Sequence, residues 1–149
     1  MTISVKKRQG RKQVTLIQGV ERFGIDVNDS NIYDVAHFKK CNLDNETVPF
    51  SDEYFDIVVA GEVLEHIKRP FEFIEGIGRV TKPGALILVS TPNPYYYIEI
   101  LKELLGIQTL DDPEHLNLFS RVHFVNYAER CGLKLQKFRR YKFWIPFIR

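Results

Sequence analysis

Two acids and two histidines, Asp26, Asp44, His66 and His115, hold most of the chemistry that this chain offers at first sight. Asp26 lies near the end of the run Arg22 to Val27 (RFGIDV), which has the composition of a strand. A carboxylate at a strand end can accept hydrogen bonds from both hydroxyls of a sugar, or it can cap its own turn with Asn28 and Asp29. Gly61 follows the apolar run FDIVVA, where the missing Cβ lets the backbone come close to a bound molecule. Next come Glu62, Glu65 and His66. In a short helix Glu62 and His66 stand at i and i+4 on one face, and His66 can then serve as a general base or hydrogen-bond its loop. His115 in DDPEHL lines a pocket or locks that loop. Tyr95 and Tyr96 supply aromatic walls with polar tips, whereas Tyr97 fits a helical stripe and is expected in the core.

These residues need a scaffold, and its elements follow from apolar spacing. Phe55 to Ala60 and Ala85 to Ser90 are continuous apolar runs, expected for strands covered on both faces. Between them Pro70 opens a helix that places Phe73, Ile74, Ile77 and Val80 on one face, and Pro83-Gly84 turns the chain into the next strand. Thr2 to Val5 is expected as a short strand, Lys6 to Arg11 as a basic loop and Gln13 to Gln18 as part of a helix. Asp34 to Phe38 is expected as a helical turn and Lys40 to Leu43 as a short strand. Tyr95 to Leu105 carries a helical apolar stripe ended by Gly106. Ser120 caps a helix over Arg121 to Cys131, closed by Gly132. Leu133 to Phe138 alternates like a half-buried strand, and Tyr141 to Ile148 reads as a last strand that Pro146 confines to an edge or bulge.

In order along the chain, Asp44, Pro49-Phe50, Phe55-Asp56, Glu62-Val63-Leu64-Glu65-His66, Arg79-Val80, Lys82-Pro83-Gly84 and Ser90-Thr91-Pro92-Asn93 resemble the class I S-adenosylmethionine-dependent methyltransferases. Asp112 to Leu116, Phe119-Ser120 and Cys131-Gly132-Leu133 look like the ending of small members found in glycan or lipid assembly pathways. The resemblance covers about Phe23 to Phe138. It implies a Rossmann-like α/β three-layer sandwich, mostly parallel, with a C-terminal antiparallel hairpin, in one domain over 1–149. It also implies S-adenosylmethionine as cofactor. Asp26 then holds the ribose and Asp44 accepts from the adenine amino group. Val27, Leu43 and Asn45 contact the base, and Gly61 and Glu62 face the methyl donor. Tyr95, Tyr96 and His115 border the pocket of a small-molecule or glycan- or lipid-like acceptor. One family signature is missing. Where a glycine-rich loop should follow the first strand stands Ser4-Val5-Lys6-Lys7-Arg8-Gln9-Gly10-Arg11-Lys12, and only 25 residues precede Asp26, so the domain is expected to be N-terminally shortened relative to the family.

Composition limits the alternatives. A chain of 149 residues that is 44% apolar can build one globular core. Its apolar runs are too short to cross a bilayer and no secretion signal opens it, so a cytoplasmic setting is the default. Cys41 and Cys131 suit buried free thiols, and there is no CxxC or HExxH metal spacing. The net charge of +2 hides five basic residues and no acid in Met1 to Lys12, and six and none in Lys134 to Arg149. Ten basic and nineteen acidic residues remain, leaving the middle at −9. Such termini could grip nucleic acid or another phosphate-bearing partner, or be solvated ends. A catalytically impaired assembly module, self-associating or held by a partner, is the further alternative.

Overall fold

A computed structural model describes residues 2–6, 20–28, 35–93, 95–107 and 114–139, with backbone alone for 2–6 and 98–99. Five strands form one sheet: β1 (Thr2–Lys6), β2 (Arg22–Asp26), β3 (His37–Lys40), β4 (Phe55–Gly61) and β5 (Thr81–Ser90). All neighbours are parallel, in the order β3-β2-β1-β4-β5. The chain steps outward from β1 to β3, then returns to place β4 on the other side of β1. This reversal is a topological switch point, and ligands of open α/β sheets bind beyond the strands' carboxyl ends there. Register aligns those ends, with Lys6 opposite Gly61, Gly61 opposite Ser90 and Asp26 opposite Lys40.

Helix α1 (Pro70–Val80) begins with proline at its first turn, as expected, and its apolar face is buried: Phe73, Ile74, Ile77 and Val80. It packs on β5 and on α3 (Arg121–Arg130). The ring of Phe71 meets Tyr127 edge-on at 5.7 Å, and Phe119 fills the space beside Phe124 and Tyr127. Ser120 opens α3, its amide donating to His123 Nδ1 at 3.0 Å. Gly132 closes it in the left-handed region, φ +69°, where Leu133 N–H reaches Ala128 O at 2.7 Å. Below the strands' amino ends Phe23, Phe50, Tyr54 and Phe55 form an edge-to-face aromatic cluster.

Several expectations shift. The third strand is His37–Lys40, not Lys40 to Leu43, and it replaces the helical turn expected up to Phe38. As an edge strand with mostly exposed residues it carries no apolar signal. The Pro83-Gly84 turn is absorbed into β5: Phe55 pairs with Thr81 while Ile57 pairs with Leu86, so extra residues bulge out, Gly84 taking φ +77°. Beside this bulge Lys82 Nζ lies 2.7 Å from Asp56 and holds its carboxyl down to about 2. The pair is exposed and contributes little to stability. The apolar runs of β4 and β5 are covered on one face alone among the described residues: Val58 and Ala60 are buried, but Leu86 and Leu88 are about half exposed. The expected helix over 13–18 lies outside the described residues. Helix α2 (Tyr97–Leu104) forms, yet Tyr97 is 40% exposed rather than core. Leu133 to Phe138 makes no strand ladder, its burial alternating only as far as Gln136, and its expected partner, 141–148, lies outside the described residues.

Both cysteines are free, Cys41 buried and Cys131 half-buried. Burial pushes the Cys41 thiol up, helped by nearby Glu46, and burial with Glu75 does the same for Cys131. Both thiols are slowed by their raised pKa values, and Cys41, only 2% exposed, is the slower to react. With a thiol-selective disulfide reagent, Cys131 is expected to modify first, and Cys41 only on unfolding; equal rates in the native protein would contradict this packing.

Candidate cofactor and acceptor site

The carboxyl ends of β2, β4 and β5 bring most of the expected residues to one rim. Asp26 is 9% exposed, and its Oδ1 accepts from the Asn28 amide at 2.8 Å and from Asn28 Nδ2 at 3.1 Å. The turn-capping role and a ligand role are therefore compatible, one oxygen serving the turn and Oδ2 being the atom available to a sugar. Val27 beside it is 42% exposed. A valine placed only for packing would be covered, whereas this one presents an apolar surface at the rim.

The loop after β3 is tied to Asp26 through the backbone, Cys41 N–H donating to Asp26 O at 2.9 Å. Asn42 shapes this loop by accepting from the Asp44 amide at 3.1 Å. Asp44 is half-buried, and its Oδ1 accepts from the Lys68 amide at 2.9 Å, which joins the β3 loop to the segment entering α1. Leu43 packs against the core and Asn45 is exposed. Among the described residues neither Asp26 nor Asp44 is in an ion pair with a base.

At the end of β4, a Cβ added to Gly61 would meet nothing nearer than Ser90 Oγ at 3.7 Å, an ordinary contact. The fold itself leaves room for a side chain there. Glu62 stands in the left-handed region, φ 54°, which a non-glycine residue adopts at a cost and which clusters at ligand sites. It is held by the Ser90 hydroxyl, which donates to Oε1 at 2.7 Å, and by its own N–H on Ser90 O at 3.0 Å. That conformation overturns the expected helix through Glu62. The turn that follows, a 3₁₀ turn at Leu64–His66, starts too late to put Glu62 and His66 on one face.

His66 and His115 are brought together, their ring centroids 4.8 Å apart. His66 Nδ1 is 3.2 Å from Glu114 O, and its Nε2 is 3.9 Å from Oε1 of the buried Glu65. Leu116 and Asn117 amides donate to Glu65 O at 2.7 and 3.1 Å. Asn117 Nδ2 adds Ile67 O at 2.8 Å and Leu64 O at 3.3 Å. These bonds fix the loop that carries His115, whose ring lies against that of His66. Tyr95 is 53% exposed and Tyr96 half-buried, with the Tyr95 amide on Asn93 Oδ1 at 3.1 Å. Asn117 was not singled out in the sequence, and Ser90 entered only as part of the run Ser90 to Asn93, with no role given to it. A polar residue closing an apolar strand was the available signal for Ser90, and nothing local marks Asn117.

A cavity of about 860 Å³ opens elsewhere, at the β3 edge between Phe23, His37, Phe50 and Arg79. It lies at the strands' amino ends, away from the switch point, so the rim and not this hollow is the candidate site.

The sheet order defines an open α/β fold whose switch-point rim is the expected ligand edge. A family model described as a methyltransferase domain matches residues 11–137, and the chain belongs to that S-adenosylmethionine-dependent family. Among similar proteins, the ubiquinone biosynthesis O-methyltransferase of Pseudoalteromonas translucida is 31% identical over 87 residues, 55% of this chain and 37% of that protein. A probable S-adenosylmethionine-dependent methyltransferase of Mycolicibacterium smegmatis is 32% identical over 127 residues, 81% of this chain and 47% of that one. The chain thus spans less than half the length of these two relatives. A crystal structure of a SAM-dependent methyltransferase from Archaeoglobus fulgidus superposes with a TM-score of 0.60 at 22% identity, covering 76% of this chain and 51% of that one, and shows the shared fold.

Proposed function

We propose that this chain transfers a methyl group from S-adenosylmethionine to a small-molecule or glycan- or lipid-like acceptor, at an oxygen nucleophile. The observation that carries the donor side is Asp26, nearly buried at the end of β2, with one carboxylate oxygen on its own turn and an exposed valine beside it. When bound, the cofactor supplies an electrophilic methyl group on a sulfonium. Asp26 holds the ribose hydroxyls. Asp44, with Leu43, Asn45 and Val27, holds the base, and Gly61 and Glu62 border the methyl-bearing side. The basic run from Lys6 to Lys12 replaces the family's glycine-rich loop, and one of its cations suits the carboxylate of the cofactor's amino acid tail; 7–12 lies outside the described residues.

On the acceptor side His115, Tyr95 and Tyr96 form the border. The oxygen assignment is supported by relatives that are named O-methyltransferases. Alignment of donor and acceptor supplies most of the rate gain in such a transfer. A base role for His66 would have to use Nε2, the nitrogen turned toward Glu65. A cytoplasmic setting belongs to the same proposal; separately, no helix among the described residues is long and apolar enough to cross a membrane. Of the basic C-terminus, Lys134, Lys137 and Arg139 are exposed; the rest lies outside the described residues, and a nucleic-acid role is not needed to account for them.

Gly61→Ala tests the donor side without disturbing the fold. The added Cβ has only the 3.7 Å contact with Ser90 to satisfy, so thermal unfolding should stay near that of the native protein. Calorimetric affinity for S-adenosylhomocysteine should fall roughly five- to hundredfold if the cofactor fills that space, the scale of an overpacked contact. Unchanged affinity would remove Gly61 from the site, and no binding by the native chain would remove the proposal.

A further inference from the structure

We infer that Glu65, His66 and His115 form a binding site for one divalent cation of the zinc class, independent of the methyl donor. Each residue offers a ligand atom, and the three atoms lie within 4.8 Å of one another. A filled tetrahedral site with bonds near 2.1 Å sets its ligand atoms roughly 3.4 Å apart, so modest side-chain rotations close the set. Two imidazoles and one carboxylate favour zinc and similar transition metals over magnesium or calcium, which prefer all-oxygen ligands.

The surroundings have the features of a metal's outer shell. Nδ1 of His66 can only donate to the carbonyl oxygen of Glu114, which leaves Nε2 as the atom to meet a metal, and that nitrogen faces Glu65 Oε1 at 3.9 Å. A cation between that nitrogen and the carboxylate, a proton or a metal ion, is stabilised there. Glu65 is 1% exposed, so its carboxylate and the two imidazoles beside it meet away from bulk water. The Leu116, Asn117 and Asn117 Nδ2 hydrogen bonds to the 3₁₀ turn hold His115 in place before any ion arrives. Sequence spacing conceals the set because 49 residues separate the two histidines. A bound ion would clamp the 114–117 segment onto the end of the β4 connection, beside the proposed acceptor pocket.

The test is a competition for zinc between the purified chain and a chromophoric chelator, with bound metal counted after gel filtration. The native chain should retain about one ion per molecule, and saturating zinc should raise its melting temperature. His115→Ala, on a half-buried side chain, should weaken retention at least about tenfold, the scale seen when metal shells are disturbed. Glu65→Gln should do the same, with circular dichroism confirming that the variant is folded. His37→Ala, at the other end of the sheet beside Glu21, should bind as the native chain does. The inference is overturned if the native chain loses all zinc to the chelator, if His115→Ala binds as tightly, or if magnesium saturates the site in preference to zinc. Because the readout contains no methyl donor, zinc binding without S-adenosylhomocysteine binding would uphold this site and sink the proposed function, and the converse would do the reverse.

Discussion

Asp26→Ala should lower the affinity for S-adenosylhomocysteine by roughly ten- to hundredfold, measured by titration calorimetry. A hydrogen bond to a charged group contributes about 1.5–3 kcal/mol net, and each 1.4 kcal/mol is tenfold in affinity. The effect should be large because the acid is 9% exposed, so its bonds to a ribose form away from competing water. One complication is that Asp26 also accepts two bonds from Asn28. Asn28→Ala separates the roles: it removes the Nδ2 donor, leaves the backbone bond, and should change affinity by about twofold or less if the ribose is what matters. Equal losses in the two variants would mean that the turn, not the carboxylate, is required. Asp44→Ala should show a smaller loss, since Asp44 is only half-buried and its bond to the base forms in closer competition with water. An Asp26→Ala protein that is folded and binds as tightly as the native one would end the nucleoside assignment.

The parts of this fold that were legible are those where local pattern and tertiary role agree. Pro70, the spacing of Phe73, Ile74, Ile77 and Val80, and the runs FDIVVA and ALILVS each name their element; α1 and β4 form as expected, and β5 contains its run but begins earlier, at Thr81. Strand β3 escaped because an edge strand reading HFKK need bury little and so shows little. Glu62 was misread for a different reason. Its sequence suits a helix, but the pair of hydrogen bonds to Ser90 fixes φ at 54°, and those come from a strand 28 residues away. Tyr97 was assigned to the core on helical spacing alone; periodicity gives a face, not what covers it, and the face is open among the described residues. At the rim, the placement of Asp26 and Gly61 followed from strand ends, which are local, whereas Asp44 stands in a loop past the end of β3 that Asn42 and Lys68 shape. The meeting of His66 with His115 did not, because the bonds that make it, such as Asn117 to Ile67, span 50 residues.

Phe55→Ala should destabilise the domain by about 3–5 kcal/mol, read from the urea midpoint. Phe55 is fully buried, and its ring touches three others, Phe23 at 5.3 Å, Phe50 at 4.9 Å and Tyr54 at 5.0 Å between centroids, all edge-on. The loss combines transfer of the ring, the cavity left behind and about 0.5–1.5 kcal/mol for each aromatic pair beyond its area, so the upper part of the range is expected. Local collapse is hindered because Phe55 starts β4 at the register break, where its pairing with Thr81 anchors the Pro83-Gly84 bulge. Against a total stability of about 5–15 kcal/mol for a domain, a measurable unfolded fraction should appear without denaturant only if the native protein lies at the low end. The same strand ends at Gly61, so the variant also tests how the rim is held. If β4 is fixed by its ladder, S-adenosylhomocysteine affinity should fall only by the fraction of molecules unfolded. A larger fall, in protein that is still mostly folded, would show that the aromatic cluster under the sheet positions the rim as well as stabilising it. A loss below about 1 kcal/mol would instead contradict the packing of the ring.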